Sequence, residues 1–336
     1  MTAKLRWGVL GVSNFAVNKI VPAMRSCALC EIAAIASRDA DHAARAAASL
    51  GIPKSHGSYE ALLADPEIDV IYNPLPNHLH VPWSIKALEA GKHVLCEKPL
   101  APSTDEVRQL IAVRDRTGLQ AGEAFMVRTH PQWQRVREII DSGEIGKVRT
   151  VQTYFSYFNR DPKNVRNVAG YGGGGLLDIG CYAIFVSRLV FGETPKRAAG
   201  IIELDPEFQT DRLASAVLDF PSGQAVFTCS TQMVPSQRVF IFGDQARIEV
   251  EIPFNAPPDR PCRIWVDTGS DLFGAGRREE IIPVCDQYTV QGDAFSRAVL
   301  GRGPVPVPLE DSLRNVAVIE AVVSSSQSGG WQPVQV

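Results

Sequence analysis

The chain has 336 residues, 45% of them hydrophobic, and carries 34 basic against 37 acidic side chains for a net charge of −3. This length suits two domains rather than one small core, and the balanced charge excludes any broad attraction to nucleic acid or to an anionic membrane. Apolar residues come in short runs, none near the ~18 consecutive positions of a membrane span, and a strand begins with Leu5 where a signal peptide would lie, so a cytoplasmic protein is expected.

The first third alternates strand and helix. Residues 5–10 form an apolar strand, Gly11 begins a turn, and 16–24 is helix-compatible. A strand over 31–36 leads to an alanine-rich helix over 40–50, stopped by Gly51. A strand over 69–72, a helix over 81–90 closed by Gly91, and a strand over 93–97 follow. Ser103 and Glu106 make a capping box for a helix reaching about residue 117, and 119–125 is the next strand. Repeated βα units with buried strands predict an α/β domain over residues 1–124, a doubly wound parallel Rossmann sheet.

From residue 125 the texture is α+β. A helix over 132–141 precedes strands over 148–158, 197–203, 214–220, 224–231, 238–243 and 246–252, with hairpin turns at 221–223 and 243–245. The proline-rich 255–261 is a loop, and helices over 291–300 and 309–326 close the chain. Residues 125–336 are therefore expected to build a large, mostly antiparallel open sheet. Helices would cover one face, leaving the other solvated or paired with a second subunit.

Seven cysteines, scattered rather than clustered in loops, predict reduced thiols. Cys27 and Cys30 form the single C-x-x-C pair and lack a histidine at ligand spacing, and His78 and His80 lack a third ligand, so packing roles and no metal are expected.

Gly11-Val12-Ser13-Asn14-Phe15-Ala16 occupies the place of a dinucleotide-binding turn. Such a turn needs glycine to bend tightly and small residues to let the backbone approach a pyrophosphate. Here Ser13 stands for the second glycine and Ala16 for the third, with Asn14 and Phe15 between them. Ser37-Arg38 at the tip of the second strand offers a hydroxyl and a guanidinium suited to a 2′-phosphate, where an acidic residue would select the ribose hydroxyl. NADP is therefore expected in preference to NAD; the alternative is a solvated Arg38 with Asp39 turned inward. Asn73-Pro74-Leu75-Pro76-Asn77-His78 is a stiff loop passing the nicotinamide end, with Asn77 and His78 able to donate to ribose or pyrophosphate oxygens; a turn that binds nothing fits the same residues. Cys96-Glu97-Lys98-Pro99 puts a cation at the mouth of an apolar strand, where open α/β sheets bind ligands. Glu97 and Lys98 join the cofactor-binding set.

The four glycines 172–175 precede a helix on which Asp178 and Tyr182 lie four apart on one face. Glycines cost about 0.5–1 kcal/mol each relative to alanine in regular structure, so close approach of a ligand, rather than packing, is their expected reason. Hydride transfer from a carbinol needs a base for the hydroxyl proton. A tyrosine of pKa about 10 reaches neutrality only beside a cation, at about 1.4 kcal/mol per unit. Lys98 can supply that charge and polarise the substrate oxygen, while Asp178 orients the substrate or balances the lysine. Lys98, Tyr182 and Asp178 are the catalytic candidates; a packed helix aromatic is the alternative for Tyr182.

Glu97-Lys98-Pro99 resembles the E-K-P motif, carrying the catalytic lysine, of the glucose-fructose oxidoreductase / inositol dehydrogenase / MocA (Gfo/Idh/MocA) family. The segment 173–182 is similar to that family's second motif, ending in Tyr182 as in its sugar and dihydrodiol branch. Residues 123–128 with His130-Pro131-Gln132, and Asn164-Val165-Arg166, look like NADP-dependent D-xylose dehydrogenases and dimeric dihydrodiol dehydrogenases. Ser13 departs from the glycine many relatives carry. The resemblance implies hydride exchange with a ring carbon of a sugar or related cyclic polyol, held in a cleft between the domains. Lys98 and Tyr182 would stand at the reacting carbon, and Arg128, Phe158, Arg166 and Asp178 would line the site. It also implies a homodimer, or a dimer of dimers, through the open face of the second sheet. Oxidation of a trans-dihydrodiol, reduction of a dicarbonyl or anhydrosugar, and a non-catalytic NAD(P)-sensing regulator are the competing readings.

Overall fold

In the computed structural model, which describes residues 4–336, the first strand, β1 (Leu5–Leu10), is buried from Trp7 onward. Its continuous apolar run suits the centre of a sheet covered on both faces. β2 (Cys30–Ala36), β3 (Lys54–His56), β4 (Val70–Asn73), β5 (His93–Cys96) and β6 (Ala121–Glu123) complete a sheet in the order β3-β2-β1-β4-β5-β6, with every neighbouring pair parallel. The order reverses between β1 and β4, and at such a switch point ligands bind beyond the carboxyl ends of the strands. The connecting helices are α1 (Val21–Met24), α2 (Ala40–Leu50), α3 (Tyr59–Leu63), α4 (His80–Glu89) and α5 (Thr104–Thr117). Ser103 caps α5 as the capping box predicts, accepting from the Glu106 amide at 3.4 Å while its hydroxyl meets Glu106 Oε1 at 3.4 Å. β3 and α3 were not foreseen, since Lys-Ser-His carries no apolar period and α3 has only five residues.

The remaining chain builds α6 (Pro131–Asp141), β7 (Val148–Phe158), α7 (Cys181–Phe191), β8 (Arg197–Leu204), β9 (Asp211–Asp219), β10 (Gln224–Ser230), β11 (Gln232–Gly243), β12 (Arg247–Val250), β13 (Cys262–Asp267) and β14 (Arg277–Ile282). With a terminal β15 (Gln332–Pro333), these strands form one sheet in the order β14-β13-β12-β11-β7-β10-β9-β8-β15. Its pairs are antiparallel except β10 with β7. β13 to β15 escaped the sequence reading. β14 is an edge strand of charged residues, Arg-Arg-Glu-Glu-Ile-Ile, a composition that blunts edges and hides the strand pattern. The stretch Ala169–Phe191 is long and apolar enough for a membrane span by length and composition, with a mean hydropathy of 1.5, but 83% of its most apolar window is buried inside the protein. It is a core helix.

The chain forms two compact units, one of residues up to 129 with Asp286–Leu313 and one of His130–Cys285 with Arg314–Val336. The first crossing lies near the expected boundary at 124/125. The return of 286–313 to the first unit differs from the expected assignment of all of 125–336 to the second. α8 (Gln287–Val299) belongs there because Phe295 packs edge-on against Trp7 at 5.7 Å and Asp293 accepts the Ala28 and Leu29 amides at 3.1 and 2.9 Å. The last long helix, α9 (Leu309–Ser328), spans the second boundary.

Candidate active site

In the first unit, the turn after β1 depends on Gly11, whose φ of +83° is disfavoured for other residues and whose Cβ would come 3.1 Å from Leu75 Cδ2. Ser13 has a job beyond being small. Its Oγ accepts the Ala16 amide at 3.1 Å and so caps a helix that starts as a π turn over Ala16–Ile20 before becoming α1. Asn14 is exposed, and the Phe15 ring meets Tyr288 edge-on at 5.6 Å. At the tip of β2, Ser37 Oγ accepts the Asp39 amide at 3.2 Å, and Asp39 caps α2 through the His42 amide at 3.0 Å rather than turning inward. Arg38 is exposed and bonds to the Tyr59 phenol; burial raises that phenol's pKa and the guanidinium opposes the shift.

The buried Asn73 amide is spent within its own loop. It donates to His80 O at 2.9 Å and Ser84 Oγ at 3.2 Å and accepts from Leu75 N at 3.3 Å, so beyond Pro74 it shapes the turn Asn77–Leu79 that carries Asn77 and His78. His80, weighed from the sequence only as an incomplete metal ligand, is buried with Nδ1 2.8 Å from Pro99 O and Nε2 2.6 Å from Leu75 O. Burial pushes its pKa down to about 4, so near neutrality the ring donates to one carbonyl at a time and ties this loop to the turn after Lys98.

Lys98 lies two residues past the end of β5, and its bond to Pro99 is cis. Two buried carboxylates hold the backbone of this turn. Glu97 accepts from the Tyr72 phenol and, at 3.3 Å, from the Lys98 amide; Glu123, at the end of β6, accepts from the Leu100 amide at 2.7 Å. Burial, then the Glu97 charge, holds the Tyr72 pKa well above its ordinary value. Glu123 was missed as a site residue because its partner is 23 positions away.

In the second unit, Asp178 Oδ2 accepts both the Tyr157 phenol at 2.6 Å and Arg166 Nε at 2.8 Å. The Arg166 pKa is raised, first by the Asp178 charge, with burial opposing and Tyr157 and Tyr182 adding to it. Asn164 accepts the Arg166 amide at 3.0 Å and fixes the short turn that presents it. The buried Tyr182 ring lies 5.8 Å from Phe155 and 5.3 Å from Phe254. Asp178 and Tyr182 are not on one regular α-helix, because a π turn over Leu176–Gly180 precedes α7. Such turns recur at functional sites. Phe158 is 64% exposed. Its neighbour Tyr157 meets Asp178, a choice that strand alternation with the buried Val151 and Phe155 could have revealed. Asp178, Tyr182, Arg166 and Phe158 thus belong to the second unit, whereas Lys98 and the exposed Arg128 belong to the first.

Part of the glycine run packs against another strand. Asp211 Oδ2, from the start of β9, accepts the Leu176 amide at 2.5 Å, and a Cβ on Gly174, whose φ is +118°, would overlap Asp211 Oδ1. The glycines were expected to admit a ligand; the group that comes close to Gly174 and Gly175 is the chain's own Asp211 carboxylate. Burial pushes its pKa up to about 7, against hydrogen bonds from the Leu176, Asp211 and Gly175 amides, and Asp178 adds to the rise.

Among the described residues, Cys27, Cys30 and Asp293 bring three metal-competent atoms within 4.8 Å. Asp293 already accepts two amides, and Cys27 Sγ donates to Thr289 O at 3.3 Å. A cavity of about 920 Å³ lies on the second sheet's other face, lined by Tyr154, Ile201, Val226, Phe240 and Trp331. Tyr154 alternates with Phe155, so this cavity faces away from Tyr182.

Residues 5–125 match the oxidoreductase family with NAD-binding Rossmann fold of the Gfo/Idh/MocA group, and residues 133–249 match the Gfo/Idh/MocA C-terminal domain. An uncharacterized oxidoreductase of Rhizobium meliloti is 48% identical over 98% of this chain and 99% of its own length. D-xylose 1-dehydrogenase (NADP(+)) 2 of Haloferax volcanii is 34% identical over 97% of this chain and 98% of its own. Among solved structures, KijD10, a 3-ketoreductase from Actinomadura kijaniata in complex with NADP and TDP-benzene, superposes with a TM-score of 0.88 at 30% identity, covering 96% of this chain and 98% of that one.

Proposed function

The chain belongs to the Gfo/Idh/MocA family of oxidoreductases, and on that premise we propose that it is an NADP-dependent enzyme acting at a ring CH–OH, or the matching carbonyl, of a sugar or related cyclic polyol. The observation that carries this reading is Lys98 just past the carboxyl end of β5, beside the switch point, with its amide held by Glu97 and the Leu100 amide two residues on held by Glu123. The turn at Gly11 fits a dinucleotide, since the bare α-carbon leaves backbone room for a pyrophosphate at a helix start. Arg38 and Ser37 would hold the 2′-phosphate, and the NADP-linked relatives support that preference. The loop 73–78 would border the nicotinamide.

When bound, the nicotinamide accepts or supplies the hydride. The chain's part is the proton and the oxygen. Lys98 polarises the substrate oxygen with its ammonium, and Tyr182 takes the hydroxyl proton in oxidation or returns it in reduction. Arg166 stabilises negative charge on the Tyr182 oxygen, and Asp178, bonded by Tyr157, fixes that guanidinium. Arg128 completes the substrate contacts. The open face of the second sheet, where Ile201 is 77% and Tyr154 43% exposed, suits a second copy, and a homodimer of twice 36.6 kDa, or a dimer of dimers, is the expected solution particle, readable by light scattering. Seven free cysteines support a reducing, cytoplasmic setting.

The test is to incubate the protein with NADP and D-xylose, D-glucose, myo-inositol or a trans-dihydrodiol and follow nicotinamide absorbance. An aldose or polyol should turn over, and Lys98→Met should lower kcat at least about 100-fold while the dissociation constant for NADP stays near wild type. Binding of NADP without turnover of any of these would replace this reading with the regulator.

A further inference from the structure

The chain presents a carboxylate, Asp211, to the start of the helix on which Asp178 and Tyr182 sit. We infer that Asp211 is a positioning residue for the reaction: its carboxylate grips the first amides of that helix and so sets where Asp178 and Tyr182 stand. This rests on the proposed function. Two independent observations converge on the contact. From the strand side, Asp211 Oδ2 accepts the Leu176 amide at 2.5 Å. From the helix side, Gly174 takes a φ of +118° and leaves no room for a Cβ beside Asp211 Oδ1, while the Gly175 α-carbon also faces Oδ2 and the Thr231 methyl. The glycines therefore buttress one oxygen while the helix amides bind the other. An anion at a helix start also meets the positive end of the helix dipole.

The groups facing this carboxylate make its charge consequential. Asp178 on the same helix, Tyr157 from β7 and Cys229 from β10 all feel it electrostatically. Arg166 is held by Asp178 and is the cation of the cluster. Ionised, Asp211 makes charge-assisted hydrogen bonds to the amides at the cost of burying its charge; protonated, it accepts from them more weakly without that cost. Because burial pushes its pKa up to about 7, that change falls in the working range. Asp211 touches neither substrate nor the reacting atoms in this scheme, and it acts through the helix.

The experiment compares wild type, Asp211→Asn and Asp211→Ala. Hydrogen exchange of residues 172–182 is followed between pH 5.5 and 8.5 as protection factors, alongside kcat and KM for the aldose that turns over with NADP. In wild type, kcat should rise as the pH passes about 7 while protection falls, because opening the helix start relieves the burial of the ionised carboxylate. In Asp211→Asn both should lose that inflection, with kcat down at least tenfold, KM within threefold and the NADP dissociation constant within twofold. Wild-type protection that is flat across pH, or an Asp211→Asn profile identical to wild type, overturns the proposal. So does a loss confined to melting temperature with kcat and its pH profile unmoved in both variants. If wild type turns over no substrate, the functional reading fails, and the exchange profiles still decide the role of Asp211.

Discussion

Two turns in this molecule look alike in sequence and differ in what fills them. Each carries a left-handed glycine, Gly11 or Gly174, and each leads into a π turn, Ala16–Ile20 or Leu176–Gly180, that continues as an α-helix. At the first, the helix start is capped by a neutral hydroxyl from the same turn, Ser13. At the second, it is capped by a carboxylate reaching across from another strand, Asp211. A neutral cap leaves the positive end of the helix to an incoming anion such as a pyrophosphate, whereas a carboxylate has already neutralised it. Glycine before a helix therefore marks close approach, and the capping group tells whether the visitor comes from outside.

Four measurements sharpen or break that contrast. The largest effect belongs to Gly174→Ala, where a Cβ meets a carboxylate oxygen on a constrained strand at a φ of +118°. We expect a loss of about 3 kcal/mol or more in urea unfolding; a loss below 1 kcal/mol would show that Asp211 does not fill this turn.

Next is pH. The folded Asp211 pKa lies near 7, above the ordinary 3.8, so its contribution to stability is fully present below about pH 4 and is lost as pH rises through 7. The drop between pH 5 and 8 should be on the order of 2 kcal/mol after screening by residual exposure, and Asp211→Asn should flatten it by comparison with wild type in parallel urea titrations. Gly11→Ala comes third, because its Cβ would meet only a flexible Leu75 methyl at 3.1 Å. Here strain alone costs about 1–2 kcal/mol, and the sharper readout is a NADP dissociation constant raised tenfold or more. Ser13→Ala is the smallest, about 1 kcal/mol for one lost cap. Its NADP affinity should fall by less than that of Gly11→Ala; equal losses would mean that the hydroxyl itself binds the cofactor.

Local sequence determined much of this protein. The strand run of Leu5 to Leu10, the Ser103 capping box, the alternation along β7 and the position of Lys98 after an apolar strand are all read from neighbours within a turn or a pleat, where sterics and hydrogen bonding act at short range. These sufficed for a parallel α/β unit and a mostly antiparallel second sheet. What the tertiary structure alone decided are pairings between distant positions. Asp211 finds Leu176 35 residues away, Glu123 finds Leu100, and Phe295 returns to Trp7. No periodicity announces such contacts. They form only when separate elements pack and a buried polar group must take whichever partner the fold has brought within reach.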